Sequence, residues 1–307
     1  MALEAFRYQA THNLVYAAYL TALQCKPEQV NTIEKIPFLP IGFFKTHKVT
    51  SGSFSPEVIF ESSTTTGTTP SQHLVRNPSL YQSSFLKGFE RFWGSPHDTC
   101  IIGLLPSYLE RKNSSLVYMV KELIERSGHP SSGFYLNETE ALAETLTQLE
   151  LKKQRTLLIG VTFALLDFAT THSQKLQHTT LIETGGMKGR AEEITREEVH
   201  TQLKKAFQLP AIASEYGMTE LFSQAWSKEN GLFECPPWMK VLVREEEDPL
   251  SVKSYGNGGL NIIDLANIDS CCFIATDDAG RVQPNGHFEM LGRLHGATVR
   301  GCSLLTA

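Results

Sequence analysis

The sequence predicts an α/β fold, in which a largely parallel sheet with flanking helices is joined to a smaller β-rich subdomain. Two observations indicate it. Between residues 99 and 225, short apolar strands alternate with helical segments, which is typical of a parallel sheet with helices on its faces. From about residue 232, the pattern changes to short strands separated by Gly, Asn and Asp turns. We therefore expect an α/β region over 1–230 and a β-rich subdomain over 231–307, packed as one compact unit.

The segment before residue 99 predicts helices, an extended stretch and a strand. Pro37 and Pro40 forbid a continuous helix in "KIPFLPIGFFKTHKV", so this stretch is expected to be extended. "EVIFESS" predicts a short strand that leads into a loop rich in Ser and Thr. Apolar residues at helical spacing in "PSLYQSSFLKGFERFW" predict a helix after that loop.

The alternating region predicts four strand-and-helix pairs. "TCIIGLL" is followed by the helical segment "NSSLVYMVKELIERSG", with Asn or Ser at its start and Gly128 at its end. "GFYL" precedes "ETEALAETLTQLEL", and "RTLLIGV" precedes "TFALLDFATTH". "TTLIET" is followed by a glycine turn and "TREEVHTQLKKAF". In such a fold, ligands bind at the carboxyl ends of the strands.

The strands after residue 232 are short. They are predicted in "MKVLVREEE", "GGLNIIDLAN", "CCFIATDD", "GHFEMLGR" and "ATVRG".

Composition limits the function classes. The net charge of −5 argues against a general nucleic-acid binder. No apolar run approaches the ~20 residues that span a bilayer. The start of the chain has no basic segment or cleavage site of an export signal, so a cytoplasmic protein is expected.

The six cysteines show no CxxC pairing and no metal-ligand spacing. We expect reduced thiols, which fits a cytoplasmic location. Cys271 and Cys272 lie in an apolar strand pattern and are assigned to packing, as are Cys25 and Cys100. The histidines show no HxxxH or HExxH spacing, so no zinc site is predicted. There is also no GxSxG motif of a serine hydrolase.

Three turns of small or acidic residues each follow an apolar strand: "SSTTTGTTPS", "ETGGMKG" and "SEYGMTEL". In a parallel sheet such turns converge on one rim. The first could cradle a phosphate, because consecutive N–H groups and hydroxyls donate to oxyanions and Gly67 permits unusual backbone geometry. It lacks the lysine of a Walker loop. A plain solvated loop is the alternative.

The turn "EYGMTEL" offers three chemical groups for a nucleotide. Tyr216 has a flat ring for a purine, Thr219 a hydroxyl for a phosphate, and Glu220 a carboxylate for Mg²⁺ near phosphates. The alternative is an ordinary strand-to-helix turn, with Glu220 placed at the helix N-terminus where its charge is favourable.

The order of four motifs resembles the adenylate-forming superfamily of acyl-CoA ligases and luciferases. They are "SSTTTGTTPS", "EYGMTE", "TDDAG" and "LGRLHGATVRG". More narrowly, "IPFLPIGFFKTHKV", "LPSYLERKNSSLVYMV" and "ETGGMKG" resemble the acyl-protein synthetase (LuxE-type) branch, which serves a bacterial fatty-acid reductase. The resemblance runs from about residue 35 to the C-terminus. It implies the N-terminal domain fold of these enzymes, the cofactors ATP and Mg²⁺, and a carboxylic acid, fatty or aryl, activated as its acyl-adenylate.

The resemblance also implies roles for individual residues. A first group would line the phosphate loop: Ser63, Thr65, Thr66, Gly67 and Ser71. Tyr216 and Gly217 would lie at the adenine, Thr219 would contact the α-phosphate, and Glu220 would hold Mg²⁺. Asp278 would accept hydrogen bonds from the ribose, and Arg293 would support the ribose or phosphate. Gly185, Gly186 and Lys188 match the acid-binding and adenine-side loop, although a surface lysine is an equal alternative for Lys188.

The sequence departs from the superfamily pattern at four places. Thr64 replaces a glycine of the phosphate loop, and Ser71 replaces the lysine that commonly ends it. Asp277 replaces the glycine before Asp278 and adds negative charge. The given chain ends at Ala307, so the mobile C-terminal lid domain is expected to be missing, as the acyl-protein synthetase branch implies.

The resemblance implies that the acyl group passes to a cysteine near the C-terminus and then to an acyl-CoA-type reductase. Cys302, in "VRGCSLLTA", matches that position, and a thiolate attacks an acyl-adenylate readily. The alternative for Cys302 is a small buried residue at a strand end. Two other functions stay open: acyl-CoA or amide formation without a cysteine intermediate, and a catalytically silent nucleotide- or acyl-binding partner of a reductase.

Overall fold

The computed structural model describes residues 1–63, 69–106, 113–136, 138–185 and 195–294. These residues form two compact units that interleave along the chain. The first contains Met1–Phe85, Gly217–Gln224 and the stretch from Glu234 onward, and the second contains Leu86–Tyr216 and Ala225–Phe233. The predicted domain ranges, 1–230 and 231–307, stay a prediction. The two compact units have different bounds, since the first 85 residues group with the C-terminal strands.

The second unit is built on a mainly parallel sheet. Its strands are β4 (Cys100–Leu104), β5 (Gly133–Phe134), β6 (Thr156–Val161), β7 (Thr179–Thr184), β8 (Ala213–Tyr216), β9 (Ala225–Ser227) and β10 (Leu232–Phe233). Six of them pair in the order β5-β4-β6-β7-β8-β9. Every pairing along this path is parallel except β8 with β9, which is antiparallel. The predicted alternation of strand and helix is confirmed.

The helices of this unit begin and end where the sequence predicts. They are α4 (Pro78–Trp93, which starts in the first unit), α5 (Ser115–Ser127), α6 (Thr139–Leu151), α7 (Thr162–Thr171) and α8 (Arg196–Phe207). The Ser114 hydroxyl accepts a hydrogen bond from the N–H of Val117 at the start of α5, and Gly128 ends that helix in the left-handed conformation at φ 61°. Thr195 and Glu198 form a reciprocal capping box on α8.

The first unit contains an antiparallel sheet and a separate hairpin. Its helices are α1 (Ala2–His12), α2 (Leu14–Ala22) and the short α3 (Phe43–Thr46). Its strands are β1 (Leu39–Pro40), β2 (Val58–Glu61), β3 (Gln72–Val75), β11 (Met239–Arg244), β12 (Val252–Lys253), β13 (Gly256–Asp264), β14 (Phe273–Val282) and β15 (Phe288–Arg293). β15-β14-β13-β11-β12 pair antiparallel in this order, β1 joins β14 in parallel, and β2 pairs with β3.

Each unit has its own aromatic core. In the first unit, Phe6 and Phe38 contact Phe273 edge-on, and Tyr16 stacks on it at 6.1 Å between ring centroids. In the second unit, Trp93 meets Trp226 edge-on at 5.9 Å. All six aromatic side chains are at most 7% exposed, and each fully buried side chain of this size contributes about 1.5–3 kcal/mol. These cores hold the strands that carry the predicted site residues.

The cysteines of the described residues are free thiols: Cys25, Cys100, Cys235, Cys271 and Cys272. The packing role predicted for Cys100, Cys271 and Cys272 is confirmed, since all three are fully buried. Cys25 is only partly buried, so its packing role stays a prediction. Burial raises the pKa of Cys271 to about 12, so this thiol is unreactive. Within the described ranges, no helix combines the length and the apolar character needed to cross a membrane.

Candidate functional site

The predicted site residues fall into three groups. Seven lie in the first unit: Ser63, Ser71, Gly217, Thr219, Glu220, Asp278 and Arg293. Two lie in the second unit: Gly185 and Tyr216. The others lie outside the described residues: Thr65, Thr66, Gly67, Gly186, Lys188 and Cys302.

The hairpin of β2 and β3 holds the two flanks of the Ser/Thr segment together. Glu61 pairs with Gln72 in the ladder, and beyond that pair the N–H of Ser62 donates to the carbonyl of Ser71 at 3.0 Å. The N–H of Ser71 donates in return to the Ser62 hydroxyl at 2.9 Å. The Ser71 side chain is fully buried, and its hydroxyl has no partner among the described residues. Its predicted contact with phosphate stays a prediction.

The strand that leaves the Ser/Thr segment contacts the segment that carries Thr219. His73, on β3, lies with its Nδ1 atom 2.9 Å from the Thr219 carbonyl oxygen. The His73 ring also stacks on Phe222, with centroids 4.5 Å apart. Within the first unit, the strand that follows the first motif assigned to phosphate binding therefore contacts the second of these motifs. His73 follows the Ser/Thr motif by two residues, and the sequence predicted no role for it.

The segment 217–224 has no helix or strand. It follows β8 and leads into β9, which runs antiparallel to β8, so the alternative of a strand-to-helix turn at Glu220 is wrong. Glu220 is 1% exposed. Its carbonyl accepts a hydrogen bond from the Asn267 side chain at 2.7 Å. The Glu220 carboxylate is thus carried by a buried segment whose backbone is fixed by side chains.

Asp278 and Arg293 face each other across β14 and β15. Arg293 Nη1 lies 3.3 Å from Asp278 Oδ1, and Nη2 lies 3.2 Å from Asp277 Oδ2. The charge that Asp277 adds to the motif is therefore paired with Arg293 in this structure. Asp278 is 2% exposed, and its N–H donates to the Thr276 hydroxyl at 3.2 Å. A carboxylate fixed in this way suits recognition of hydroxyl groups.

Arg244 is a buried cation behind these carboxylates that sequence reasoning missed. It donates hydrogen bonds to the carbonyls of Leu260 and Thr276 and to the Asn261 side chain. Burial lowers the pKa of Arg244, and the charges of Asp277 and Asp278 oppose that shift. Gly259 on the neighbouring strand leaves room for the guanidinium, because an added Cβ would lie 2.8 Å from Arg244 Cζ. This proximity is visible only in the structure.

Two buried carboxyl groups lie beside the glycine turn of the second unit. Thr162 Oγ1 contacts the Glu183 carboxyl and also lies 2.7 Å from the Gly185 carbonyl oxygen. Burial raises the pKa of Glu183. Since one hydroxyl hydrogen serves one acceptor, both contacts are hydrogen bonds when Glu183 carries a proton. Gly185 itself has φ 74°, the left-handed region that favours glycine.

Glu215 and Tyr216 end β8 in the same unit. Thr184 donates a hydrogen bond to Glu215 at 2.5 Å, and burial raises the pKa of Glu215 to about 7 with a contribution from the Glu183 charge. Tyr216 is 8% exposed and lies 5.9 Å from the Phe233 ring. Its predicted stacking on adenine stays a prediction. Glu183 and Glu215 were visible in the sequence as acidic residues inside apolar strands.

No group of three or more His, Cys, Asp and Glu side chains that could hold a metal occurs in the part of the chain that the structure describes. Glu220 alone, as predicted for Mg²⁺, does not require such a group, because Mg²⁺ is commonly bound by one or two carboxylates together with substrate phosphates and water. Glu220 and its sequence neighbour Thr219 carry oxygen atoms, the ligand type that this hard cation prefers.

The chain matches no family model and no curated protein. Its fold is similar to several solved structures. ATP-bound MatB from Rhodopseudomonas palustris is 15% identical, with a TM-score of 0.56 over 78% of this chain and 49% of that chain. O-succinylbenzoate coenzyme A synthetase (MenE) from Bacillus subtilis, in complex with ATP and magnesium ion, is 14% identical, with a TM-score of 0.52 over 76% and 49%.

A third similar structure is the amide bond synthetase McbA from Marinactinospora thermotolerans, 14% identical, with a TM-score of 0.54 over 81% of this chain and 51% of that chain. The chain thus spans about half the length of the solved structures it matches. The predicted fold class is confirmed. The α/β fold of this chain matches about half of each of these solved structures. At this level of identity, the similarity establishes the fold alone.

Proposed function

We propose that this protein activates a carboxylic acid with ATP, forming an acyl-adenylate and pyrophosphate. The observation that carries the proposal is the contact of His73 with Thr219, which joins the strand after the Ser/Thr segment to the segment of Glu220. The fold supports it, because the similar structures include an ATP-bound protein and a synthetase in complex with ATP and magnesium ion. The alternative of an acyl-CoA or amide ligase uses the same adenylate, and the similar structures include a coenzyme A synthetase and an amide bond synthetase.

The reaction needs a good leaving group on a poor electrophile. One carboxylate oxygen attacks the α-phosphorus of ATP, and the bond from that phosphorus to the pyrophosphate oxygen breaks. The acyl carbon then carries AMP, which leaves far more easily than oxide. The protein has to hold the attacking oxygen in line and stabilise phosphate charge, which is mainly positioning and electrostatics. Magnesium, when bound, would offset part of that charge and would be held by Glu220.

Individual residues are proposed for each part of the nucleotide. The phosphates would be lined by Ser63, Thr65, Thr66 and Gly67, with Ser71 at the end of the loop. Thr219 would donate to the α-phosphate, and Tyr216 with Gly217 would lie at the adenine. The fixed carboxylate of Asp278 would accept from the ribose hydroxyls, with Arg293 beside it. Gly185, Gly186 and Lys188 would line the acid and adenine side.

We also propose the finer function of an acyl-protein synthetase of the LuxE type. In that case the acyl group moves from the adenylate to the Cys302 thiol, with release of AMP, and then to an acyl-CoA-type reductase. The acid would be a fatty or aryl acid, and the protein would be cytoplasmic. Cys302 lies outside the described residues, so only the sequence motif "VRGCSLLTA" supports this step.

Carboxylate-dependent exchange of labelled pyrophosphate into ATP tests the adenylation. We expect exchange with at least one acid from a panel of aliphatic and aromatic acids. Glu220→Ala should lower it about 100-fold, because a lost charge-stabilising group typically costs ~3 kcal/mol. The matched control is Glu229→Ala, an exposed carboxylate nearby in the sequence, which should leave exchange unchanged. Exchange that no acid supports, or that Glu220→Ala leaves intact, contradicts the proposal.

Intact-protein mass after incubation with labelled acid and ATP tests the cysteine step. The acyl-protein synthetase function predicts an adduct that Cys302→Ser abolishes. An adduct that survives this substitution removes Cys302 from the mechanism. Exchange without any adduct favours a ligase that passes the acyl group to coenzyme A or an amine, and nucleotide binding without exchange favours a silent binding protein.

A further inference from the structure

Four backbone groups of the segment 219–223 are paired with side chains: the carbonyls of Thr219 and Glu220 and the N–H groups of Phe222 and Ser223. Buried N–H and C=O groups need partners, and regular structure usually provides them. Here the carbonyl of Thr219 is contacted by His73, and the carbonyl of Glu220 accepts from Asn267. The direction of these two peptide groups therefore depends on two side chains that are distant in the sequence.

His73 has one defined tautomer in this contact. A carbonyl oxygen only accepts, so Nδ1 of His73 carries the hydrogen and donates to Thr219 at 2.9 Å. The ring is 1% exposed and lies between Phe222, on which it stacks, and Phe44, which it meets edge-on. Burial lowers the pKa of His73 to about 4, so the ring is neutral at physiological pH.

Asn267 contacts the same segment at two points. Its Nδ2 donates to the Glu220 carbonyl at 2.7 Å, and its Oδ1 accepts from the N–H of Phe222 at 3.0 Å. It is fully buried, and its own carbonyl accepts from the side chain of Gln9 on α1. One amide side chain thus fixes the backbone on both sides of Leu221.

Asp264 completes the contacts on the following residues. One of its carboxylate oxygens accepts from the N–H groups of Phe222 and Ser223, both at 2.9 Å. The other accepts from the Ser223 hydroxyl at 2.7 Å and from the N–H of Ala266 at 3.1 Å. Because Asp264 also starts the short helical turn after β13, its loss would disturb the fold as well as the segment. The cleaner tests are His73 and Asn267.

We propose that His73 and Asn267 are positioning residues for adenylation, which fix the carbonyls of Thr219 and Glu220 and so the direction of their side chains. The proposal rests on the proposed function for what Thr219 and Glu220 do. It extends that function to two residues outside every motif of the sequence. A misplacement of 1 Å in a catalytic arrangement can cost about 100-fold in rate.

Paired variants test the carbonyl contacts by pyrophosphate exchange. His73→Leu removes the donor to Thr219, whereas His73→Asn keeps an N–H near the position of Nδ1. We expect kcat to fall at least tenfold in His73→Leu and to stay within threefold in His73→Asn, at a temperature where both are folded. Asn267→Asp loses the donor to Glu220, and the Mg²⁺ concentration for half-maximal exchange should rise at least fivefold.

Tyr16→Phe is the matched control. It removes another buried donor to a main-chain carbonyl in the same unit, the 2.6 Å hydrogen bond from Tyr16 to Pro37. It should change neither kcat nor the Mg²⁺ dependence beyond twofold. Equal losses in His73→Leu, His73→Asn and Tyr16→Phe would show a general structural effect and overturn the proposal.

Amide hydrogen exchange of the peptide covering 217–224 provides a readout that does not need activity. We expect faster exchange in His73→Leu and Asn267→Asp than in wild type, and no change in Tyr16→Phe. Unchanged protection in both variants overturns the proposal even if wild type is active. If wild type supports no pyrophosphate exchange, the proposed function fails, and loss of protection still decides whether the two residues position the segment.

Discussion

Glu215→Gln should stabilise the protein at alkaline pH and change its stability much less at pH 5. The Glu215 side chain is 9% exposed and accepts a hydrogen bond from Thr184. Burial raises its pKa from the ordinary 4.5 to about 7. The neutral amide of Gln has the same shape, can accept from Thr184, and needs no proton.

The magnitude follows from the pKa difference. The folded state binds a proton at Glu215 more tightly than the unfolded chain between pH 4.5 and about pH 7, so the free energy of unfolding falls as pH rises through this window. Each pKa unit corresponds to about 1.36 kcal/mol. The difference between 4.5 and about 7 therefore limits the cost of the buried charge to about 3 kcal/mol above pH 7.

Urea denaturation at pH 5 and pH 8 measures the effect. We expect Glu215→Gln to exceed wild type by about 1–3 kcal/mol at pH 8 and by less than about 1 kcal/mol at pH 5, where the carboxyl of the unfolded chain is already partly ionised. Glu198→Gln serves as the control of opposite sign, because hydrogen bonds from Thr195 lower the pKa of that exposed carboxyl. A Glu215→Gln variant less stable than wild type at pH 8 would refute the reasoning.

Three other outcomes are expected. Burial lowers the pKa of His200 from 6.5 to about 4, so acid favours the unfolded chain. The free energy of unfolding of His200→Gln relative to wild type, measured by urea denaturation, should therefore rise by up to about 3 kcal/mol from pH 7 to pH 4. Gly258→Ala, where a Cβ would lie 2.2 Å from a carbonyl oxygen, should lower the melting temperature more than Gly286→Ala, where nothing lies within 4 Å. Ser71→Lys, the residue of the superfamily pattern, should lose at least about 2 kcal/mol rather than gain ATP affinity, because position 71 is fully buried. A stable lysine variant with a lower KM for ATP would contradict this.

The elements of the fold were predictable because each depends on a local pattern. Apolar strands, helical spacing, the Ser114 start and the Gly128 end of α5 are all properties of neighbouring residues. The path after Tyr216 was not predictable in this way. The sequence allows a helix after "EYGMTE", but Asp264 and Asn267 bind the backbone N–H groups of that segment and stabilise a non-helical path.

The sequence also did not predict the surroundings of two buried carboxyl groups. Glu183 and Glu215 are carboxyl groups on strands of a sheet buried on both faces, where an ionised side chain is costly. Their partners are Thr162 at the start of α7 and Thr184 at the end of β7. The sequence shows the acidic residues but not the hydroxyl groups opposite them, because strand order and register have to be known first.

Motif residues can be recognised in the sequence, whereas the residues that hold a motif in place cannot, and this difference has a physical reason. A residue that touches a nucleotide needs one chemical type at one place in a turn, so its neighbours form a readable pattern such as "EYGMTE". A residue that holds the turn needs only a donor or an acceptor within about 3 Å of a backbone group, and many residue types at many positions meet that need. His73 and Thr219 are 146 positions apart in the chain, and Asn267 and Glu220 are 47 apart. Only the fold brings them together, so the residues proposed to set the geometry of the site are the ones that the sequence does not mark.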